Sequence, residues 1–280
     1  MFQVWLVTGA SRGLGQQVVE AALAAGHRVV ATSRSGAFVR PNSDHQDRLL
    51  VLPLDVTASD PQVFEAVVQA AVDRFGRIDV LVNNAGFGQL TVFEETSEAQ
   101  MRAVFETNVF GLMKVTRAVL PVMRRHNAGH IFNISSAAGY ADQGFSPYNA
   151  TKFAVTGFSG ALAFELSSTN IRVTNVGPGP FRTDFLDPTS LGSQPDQVIG
   201  DYDGVRQWLG RYVGSNNHSQ GGDPSRLAQL LLKVAQSESP PLHLLVGASA
   251  MALAQAYQAR LEQDIQAWHE PSSATAYQET

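Results

Sequence analysis

Seven strand-sized apolar runs, at residues 3–8, 28–33, 49–54, 80–83, 130–135, 172–176 and 242–246, recur between longer segments of helical pattern. That alternation is the strongest constraint on how this chain folds. The runs are nearly continuous in Val, Ile and Leu. Such strands are buried on both faces, as happens when helices cover both sides of a parallel sheet. Helical spacing fills residues 60–74, 97–107, 109–125 and 147–166. Crossovers between parallel strands are right-handed almost without exception. The expected fold is therefore α/β: a doubly wound parallel sheet of about seven strands with helices on both faces, Rossmann-like. One such domain is expected over residues 1–268.

Composition supports the core this requires, with 44% hydrophobic and 16% charged residues. A net charge of −5 with no block of like charge argues against nucleic acid or a membrane surface as partner. No run approaches the length of a membrane span, and the N-terminus opens directly into an apolar strand rather than a basic leader. The chain has no cysteine. That removes disulfides and thiolate nucleophiles and fits a reducing compartment, so a cytoplasmic location is expected. Neither cysteine ligands nor a histidine cluster points to a metal.

Local signals mark several helix ends. Ser97 and Gln100 have the spacing of a capping box, and Asp223 before Pro224 reads as an N-cap. Ser249 is expected to cap a last helix whose stripe of Leu253, Tyr257, Leu261, Ile265 and Trp268 faces the core. Residues 184–222 break the rhythm, being rich in Gly, Pro, Ser, Asp and Gln. A stretch this long inside a domain is expected to be a substrate lid, with Trp208, Leu209 and Tyr212 on a short helix over the pocket. Residues 269–280 are polar and are expected to form a loose tail.

Chemistry concentrates in two places. Thr8-Gly9-Ala10-Ser11-Arg12-Gly13-Leu14-Gly15 lies between the first strand and the first helix. Glycines let the backbone approach a phosphate closely, and the helix N-terminus offers free N–H groups and a positive dipole end. The same stretch also reads as G-x-S-x-G, a hydrolase nucleophile elbow with Ser11 as nucleophile. Position disfavours that reading, because only one strand precedes it. The second place is Ser135-Ser136, Tyr148 and Lys152. Tyr148 and Lys152 are four apart and share a helix face. The serines end the fifth strand at the carboxyl edge, where open α/β sheets bind ligands. A tyrosine of ordinary pKa, about 10, acts as a base near neutrality only if a cation stabilises its phenolate, and Lys152 is one turn away. A serine hydroxyl can polarise a substrate carbonyl.

Together with Asn83-Asn84-Ala85-Gly86, Asn108 and Pro178-Gly179, these motifs stand in the order of the short-chain dehydrogenase/reductase superfamily. From the first strand to about Thr183 the chain resembles that superfamily's compact single-domain branch. The resemblance implies Tyr148 as general acid/base and Lys152 as the residue that lowers its pKa and binds the nicotinamide ribose. It also implies Ser136 as the hydroxyl that orients the carbonyl, with Ser135 left open as the alternative, and Asn108 as the proton-relay asparagine. Cofactor contacts implied are Gly9, Ser11, Arg12, Gly13, Leu14 and Gly15 in the glycine-rich turn, Asp55 and Val56 at the adenine, and Asn84, Ala85 and Gly86 in a turn that lines the cofactor and stabilises the sheet. Pro178, Gly179 and Thr183 follow at the carboxamide or pyrophosphate. Phe181 stands where the family often has a smaller aliphatic residue, so a differently shaped nicotinamide pocket is expected. The C-terminal part resembles the group containing retinol and 17β-hydroxysteroid dehydrogenases, which implies a bulky apolar substrate.

NADP(H) is the expected cofactor. Arg12 lies in the phosphate turn and Arg34 follows the second strand, where NAD enzymes usually carry an acidic residue. Two guanidiniums there could clamp a 2′-phosphate. The expected activity is hydride transfer between NADP(H) and a small-molecule carbonyl or alcohol, with a homodimer as the assembly considered. The rival is a non-catalytic NADP(H)-binding sensor of the same fold.

Overall fold

In chain order, the computed structural model of residues 2–36, 46–142 and 144–277 has these elements: β1 (Val4–Val7), α1 (Gly13–Ala24), β2 (Arg28–Ser33), β3 (Leu49–Pro53), α2 (Pro61–Phe75), β4 (Val80–Asn83), α3 (Glu98–Phe105), α4 (Leu112–His126), β5 (Gly129–Ile134), α5 (Ser146–Glu165), β6 (Ile171–Pro178), α6 (Asp203–Asn216), α7 (Pro224–Ala235), β7 (His243–Val246), α8 (Ala248–Ala267) and α9 (His269–Ser273). Among the described residues the strands form one sheet in the order β3-β2-β1-β4-β5-β6-β7, with every neighbouring pair parallel. Strand order reverses between β1 and β4, which opens a crevice at their carboxyl ends.

The apolar runs of the inner strands are buried on both faces, while the edge strands β3 and β7 are only partly buried. Within β1, Val4 and Leu6 join the layer of α2 and α4, while Trp5 and Val7 join that of α1 and α7. Each such side chain contributes about 1.5–3 kcal/mol when fully buried, so a charge at Leu6 or Val7 would break the sheet at its centre. Two of the expected caps are side-chain caps. Ser97 and Gln100 form a reciprocal capping box on α3, and Asp223 accepts from Ser225 N ahead of Pro224 on α7. Where the sequence has a break near 107–109, the structure instead has a π-helical turn, Glu106–Gly111, that runs α3 into α4. π-turns inside helices recur at functional sites, and this one holds Asn108.

Two expectations fail at the C-terminus. Gly247, not Ser249, occupies the N-cap of α8. The expected core-facing stripe is largely exposed: Leu261 at 48%, Ile265 at 52% and Trp268 at 66%. The reason is position. Helix α8 follows the edge strand β7, and its one fully buried residue is Ala250 in the first turn. Further along, it is held by the Phe153–Tyr257 ring contact and the Arg260–Asp142 ion pair, and its last turns stay open to solvent. The segment expected to be a loose tail begins as a helical turn, α9, and its residues 278–280 lie outside the described residues. His126 and His130, four apart in sequence, fall on α4 and β5 and form no helical pair. Among the described residues no group of His, Asp or Glu could hold a metal ion, and no helix is long and apolar enough to cross a membrane.

Candidate active site

At the carboxyl edge of β1, residues 8–12 turn the chain into α1. Gly9 and Gly13 take left-handed φ values of 64° and 57°, which cost glycine nothing. Gly15 meets a different limit. A Cβ there would lie 2.4 Å from the Gly9 carbonyl oxygen and 2.5 Å from Asn84 Nδ2. The turn is stapled to the end of β4: Asn84 Nδ2 donates to the carbonyls of Thr8 and Gly9 at 2.9 and 3.0 Å. In return, the amides of Asn84 and Ala85 donate to Thr8 Oγ1 at 3.0 and 3.1 Å. Arg12 is the N-cap of α1 and makes no side-chain cap bond. The first-turn amides of Gly13, Leu14 and Gly15 therefore have no partner within the helix and carry its positive end. This cradle, closed to any Cβ at Gly15 and lined with N–H donors, fits a pyrophosphate.

The flanks continue the crevice. Thr183 approaches the turn, 3.5 Å from where a Cβ on Gly13 would lie. Pro178 ends β6, and Gly179 packs so closely that a Cβ would sit 2.8 Å from Ser249 Oγ. Beyond β3, the Thr57 amide and hydroxyl donate to Asp55 Oδ1 at 2.9 and 2.7 Å. These bonds hold the Asp55 carboxyl below its ordinary value, with a smaller contribution from Arg34 nearby. Val56 is buried next to Gly111, where a Cβ would come within 2.8 Å of Val56 Cγ2. A Cβ on Gly86 would lie 3.0 Å from Asn108 Oδ1. Arg12 reaches across the crevice, its guanidinium donating to the hydroxyl and carbonyl of Thr189 at 3.3 and 3.2 Å.

Helix α5 places Tyr148 and Lys152 one turn apart, with the ammonium 5.6 Å from the ring centre. Lys152 Nζ donates to the Ile134 carbonyl at 2.9 Å. Asn108 ties the chain leaving β4 to α5. Its Oδ1 accepts from Phe87 N at 3.0 Å, while its Nδ2 donates to Phe87 O at 2.9 Å and Thr151 Oγ1 at 3.2 Å. The two serines part company. Buried Ser135 donates to the Lys152 carbonyl at 3.0 Å and lies 3.2 Å from Thr156 Oγ1. Ser136 caps the 3₁₀ turn Ala137–Tyr140, accepting from Ala138 N at 3.1 Å, and hydrogen-bonds Tyr148. The structure thus brings Ser136, not Ser135, to the tyrosine.

Burial pushes the Tyr148 phenol above its ordinary pKa; the Ser136 hydrogen bond opposes this, and Tyr212 adds to the rise. Burial also lowers Lys152 to about 8. A poorly solvated setting disfavours the charged form of both groups, raising the acid and lowering the base. Burial thus displaces both groups toward their neutral forms.

The opposite bank is built from residues 184–222 fastened onto 88–100. Gly192 N donates to Gly88 O at 2.8 Å, Gln89 Nε2 to Ser193 O at 3.1 Å and Gln100 Nε2 to Gln194 O at 2.7 Å. Glu95, 1% exposed, accepts from Ile199 N at 2.7 Å and pairs with Arg206 of α6. Helix α6 then lays Trp208 and Tyr212 against Phe145, with Leu209 buried beside them. The Phe185 ring lies 5.8 Å from Tyr148, and Val92 completes an apolar enclosure around the tyrosine. Phe181 bridges to Gly222 and packs on the α1–α7 layer rather than in this enclosure. Sequence reasoning missed Glu95, Arg206, Thr189 and Phe145, whose partners lie far along the chain. Thr151 was within reach, since it sits inside the Tyr-x-x-x-Lys motif.

Comparison with known proteins gives consistent matches. A family model described as short chain dehydrogenase matches residues 3–193. Oxidoreductase BOA17 of Botryotinia fuckeliana is 37% identical, over 99% of this chain and 100% of that protein. A 3-ketodihydrosphingosine reductase of Bacteroides thetaiotaomicron is 36% identical, over 88% of each. A solved short-chain dehydrogenase from Streptomyces avermitilis superimposes with a TM-score of 0.85 at 36% identity, over 99% and 100% of the two chains. Serine dehydrogenase complexed with NADP+ has a TM-score of 0.71 at 28% identity, over 87% and 94%. A Brucella melitensis 3-ketoacyl-(acyl-carrier-protein) reductase complexed with NADH also has 0.71, at 26% identity, over 87% and 96%.

Proposed function

Because this chain belongs to the short-chain dehydrogenase family of nicotinamide-dependent oxidoreductases, we propose that it transfers a hydride between NADP(H) and the carbonyl or alcohol carbon of an apolar small molecule. The observation that carries the reading is the meeting of Ser136, Tyr148 and Lys152 at the carboxyl edge, beside a glycine turn stapled by Asn84. Gly9, Ser11, Gly13, Leu14 and Gly15 would hold the pyrophosphate, Asp55 and Val56 the adenine, and Asn84, Ala85 and Gly86 the adjoining edge. Pro178, Gly179 and Thr183 would face the nicotinamide end, with Lys152 on its ribose. The cofactor supplies or accepts the hydride. Ser136 orients the carbonyl, and Tyr148 gives its proton to the forming alkoxide, or takes it back in the oxidative direction. Asn108 fixes the chain at Phe87 and α5 at Thr151, which keeps the proton-transfer groups in register. Residues 1–268 act as one domain, with 184–222 as a lid whose closure excludes water. A panel of alkyl and aryl ketones and alcohols, followed by nicotinamide absorbance, tests the activity. Cofactor binding with no turnover across the panel would favour the sensor instead.

The preference for NADP(H) rests on Arg12 and Arg34, with Ser33-Arg34 where an acidic residue would bind the ribose hydroxyls. Arg12 would exchange Thr189 for the 2′-phosphate. Direct titration should show at least about tenfold tighter binding of NADPH than NADH, which is about 1.4 kcal/mol. Equal dissociation constants would refute it.

A further inference from the structure

Three non-glycine residues among those described have left-handed backbone: Asn127, Phe145 and His218. Asn127 ends α4, a common place for asparagine. Phe145 is different. It is a bulky aromatic at φ 69° and ψ 48°, and it is the N-cap of the helix that carries Tyr148. A bulky side chain persists in that region only where its surroundings impose it. Those surroundings are on α6. The Phe145 ring stacks on Trp208 at 5.5 Å between centres and meets Tyr212 at 5.4 Å. Gly144 leaves room for this, since a Cβ there would lie 3.2 Å from Trp208 Cζ3. The Phe145 carbonyl accepts from Asn149 N at 2.9 Å, so its conformation starts the first turn of α5.

We propose that Phe145 is a positioning residue: docking of α6 through Trp208 and Tyr212 holds it left-handed and thereby sets the first turn of α5 that aims Tyr148. The lid then aligns the proton donor as well as covering it. This rests on the oxidoreductase reading above, with Tyr148 as donor.

The test uses the whole protein and whichever ketone of the panel turns over fastest. Phe145→Leu should lower kcat about tenfold or more with the cofactor dissociation constant unchanged, because an ångström of misplacement can cost 100-fold. Phe145→Tyr should restore kcat to within about twofold, since it keeps the stack. Trp208→Ala, at a site 39% exposed, should lower kcat similarly. Combining it with Phe145→Leu should add little, because both cut one linkage. A change confined to KM, or fully additive losses, would overturn the proposal by making Phe145 an ordinary pocket wall. If Phe145→Leu fails to bind cofactor, the contrast between Phe145→Tyr and Trp208→Ala decides. Trypsin cleavage after Arg206 and Arg211 reads the linkage without turnover: Phe145→Leu should speed it, and unchanged cleavage counts against the proposal. Tyr148→Phe, run alongside, separates the two readings. If that variant still turns over, the tyrosine mechanism fails, while the cleavage ratio still tests the tie between Phe145 and the lid.

Discussion

The two banks of the crevice are made by different physics. On the cofactor side, Thr8, Gly9, Asn84 and Ala85 bond to one another directly off the ends of adjacent strands β1 and β4. Sheet pairing already sets their positions, so few extra degrees of freedom need ordering. On the other side, residues 184–222 contribute no strand to the sheet and are fastened by the side chains of Gln89, Glu95, Gln100 and Arg206. A bank held that way can open locally without unfolding the domain. The cofactor seat is therefore expected to be constant and the substrate seat adjustable.

The sharpest separation comes at the meeting point. Tyr148→Phe should lower kcat by about 1,000-fold, within the usual range for a general acid, while cofactor affinity stays within about twofold. Single-turnover kinetics and cofactor titration check both halves, and near-normal turnover would remove Tyr148 from the chemistry.

Next in size is the fastening of the lid. Glu95→Gln leaves Arg206 with the Asp203 carboxylate and the Ile199 carbonyl but without its buried charged partner. Breaking a buried pair costs about 3 kcal/mol at the low end of the usual range, which suits a partly exposed arginine. Hydrogen exchange should quicken across 199–216, with a higher KM and unaltered cofactor binding. Uniform exchange changes over the whole sheet would mean that the banks are not independent.

A pH effect should mark the sheet alone. His130 on β5 is 6% exposed and is lowered to about 4 by burial, with Arg172 contributing. Its unfolded value is near 6.5, so between these values the unfolded chain binds a proton that the folded chain does not. Stability is thus full above about 6.5 and is lost as pH falls toward 4, by up to about 3 kcal/mol at 1.36 per unit. His130→Gln should flatten that slope in urea melts; an unchanged slope would assign it elsewhere.

The smallest expected effect is on the cofactor turn. Gly15→Ala forces a Cβ against the Gly9 carbonyl and Asn84 Nδ2. Overpacking costs about 1–3 kcal/mol, so cofactor binding should weaken roughly 5- to 150-fold. Lid exchange should not change, and wild-type affinity would show that the turn yields more easily than its contacts imply.

What sequence alone determined was whatever depends on neighbours along the chain. Apolar runs buried on both faces required a parallel sheet, glycines marked the turn at the end of β1, and spacing of four put Tyr148 beside Lys152 on one helix face. Tertiary structure alone decided which serine reaches the tyrosine, because Ser135 turns into a bond with the Lys152 carbonyl. It decided that burial raises the Tyr148 pKa, because desolvation depends on what closes over it. It also decided the fate of α8, whose stripe has core spacing but is left exposed from Leu261 onward. Glu95–Arg206 and Arg12–Thr189 join residues 111 and 177 positions apart. Pairs of that kind carry no local signal, since their partners meet only once the lid has folded back.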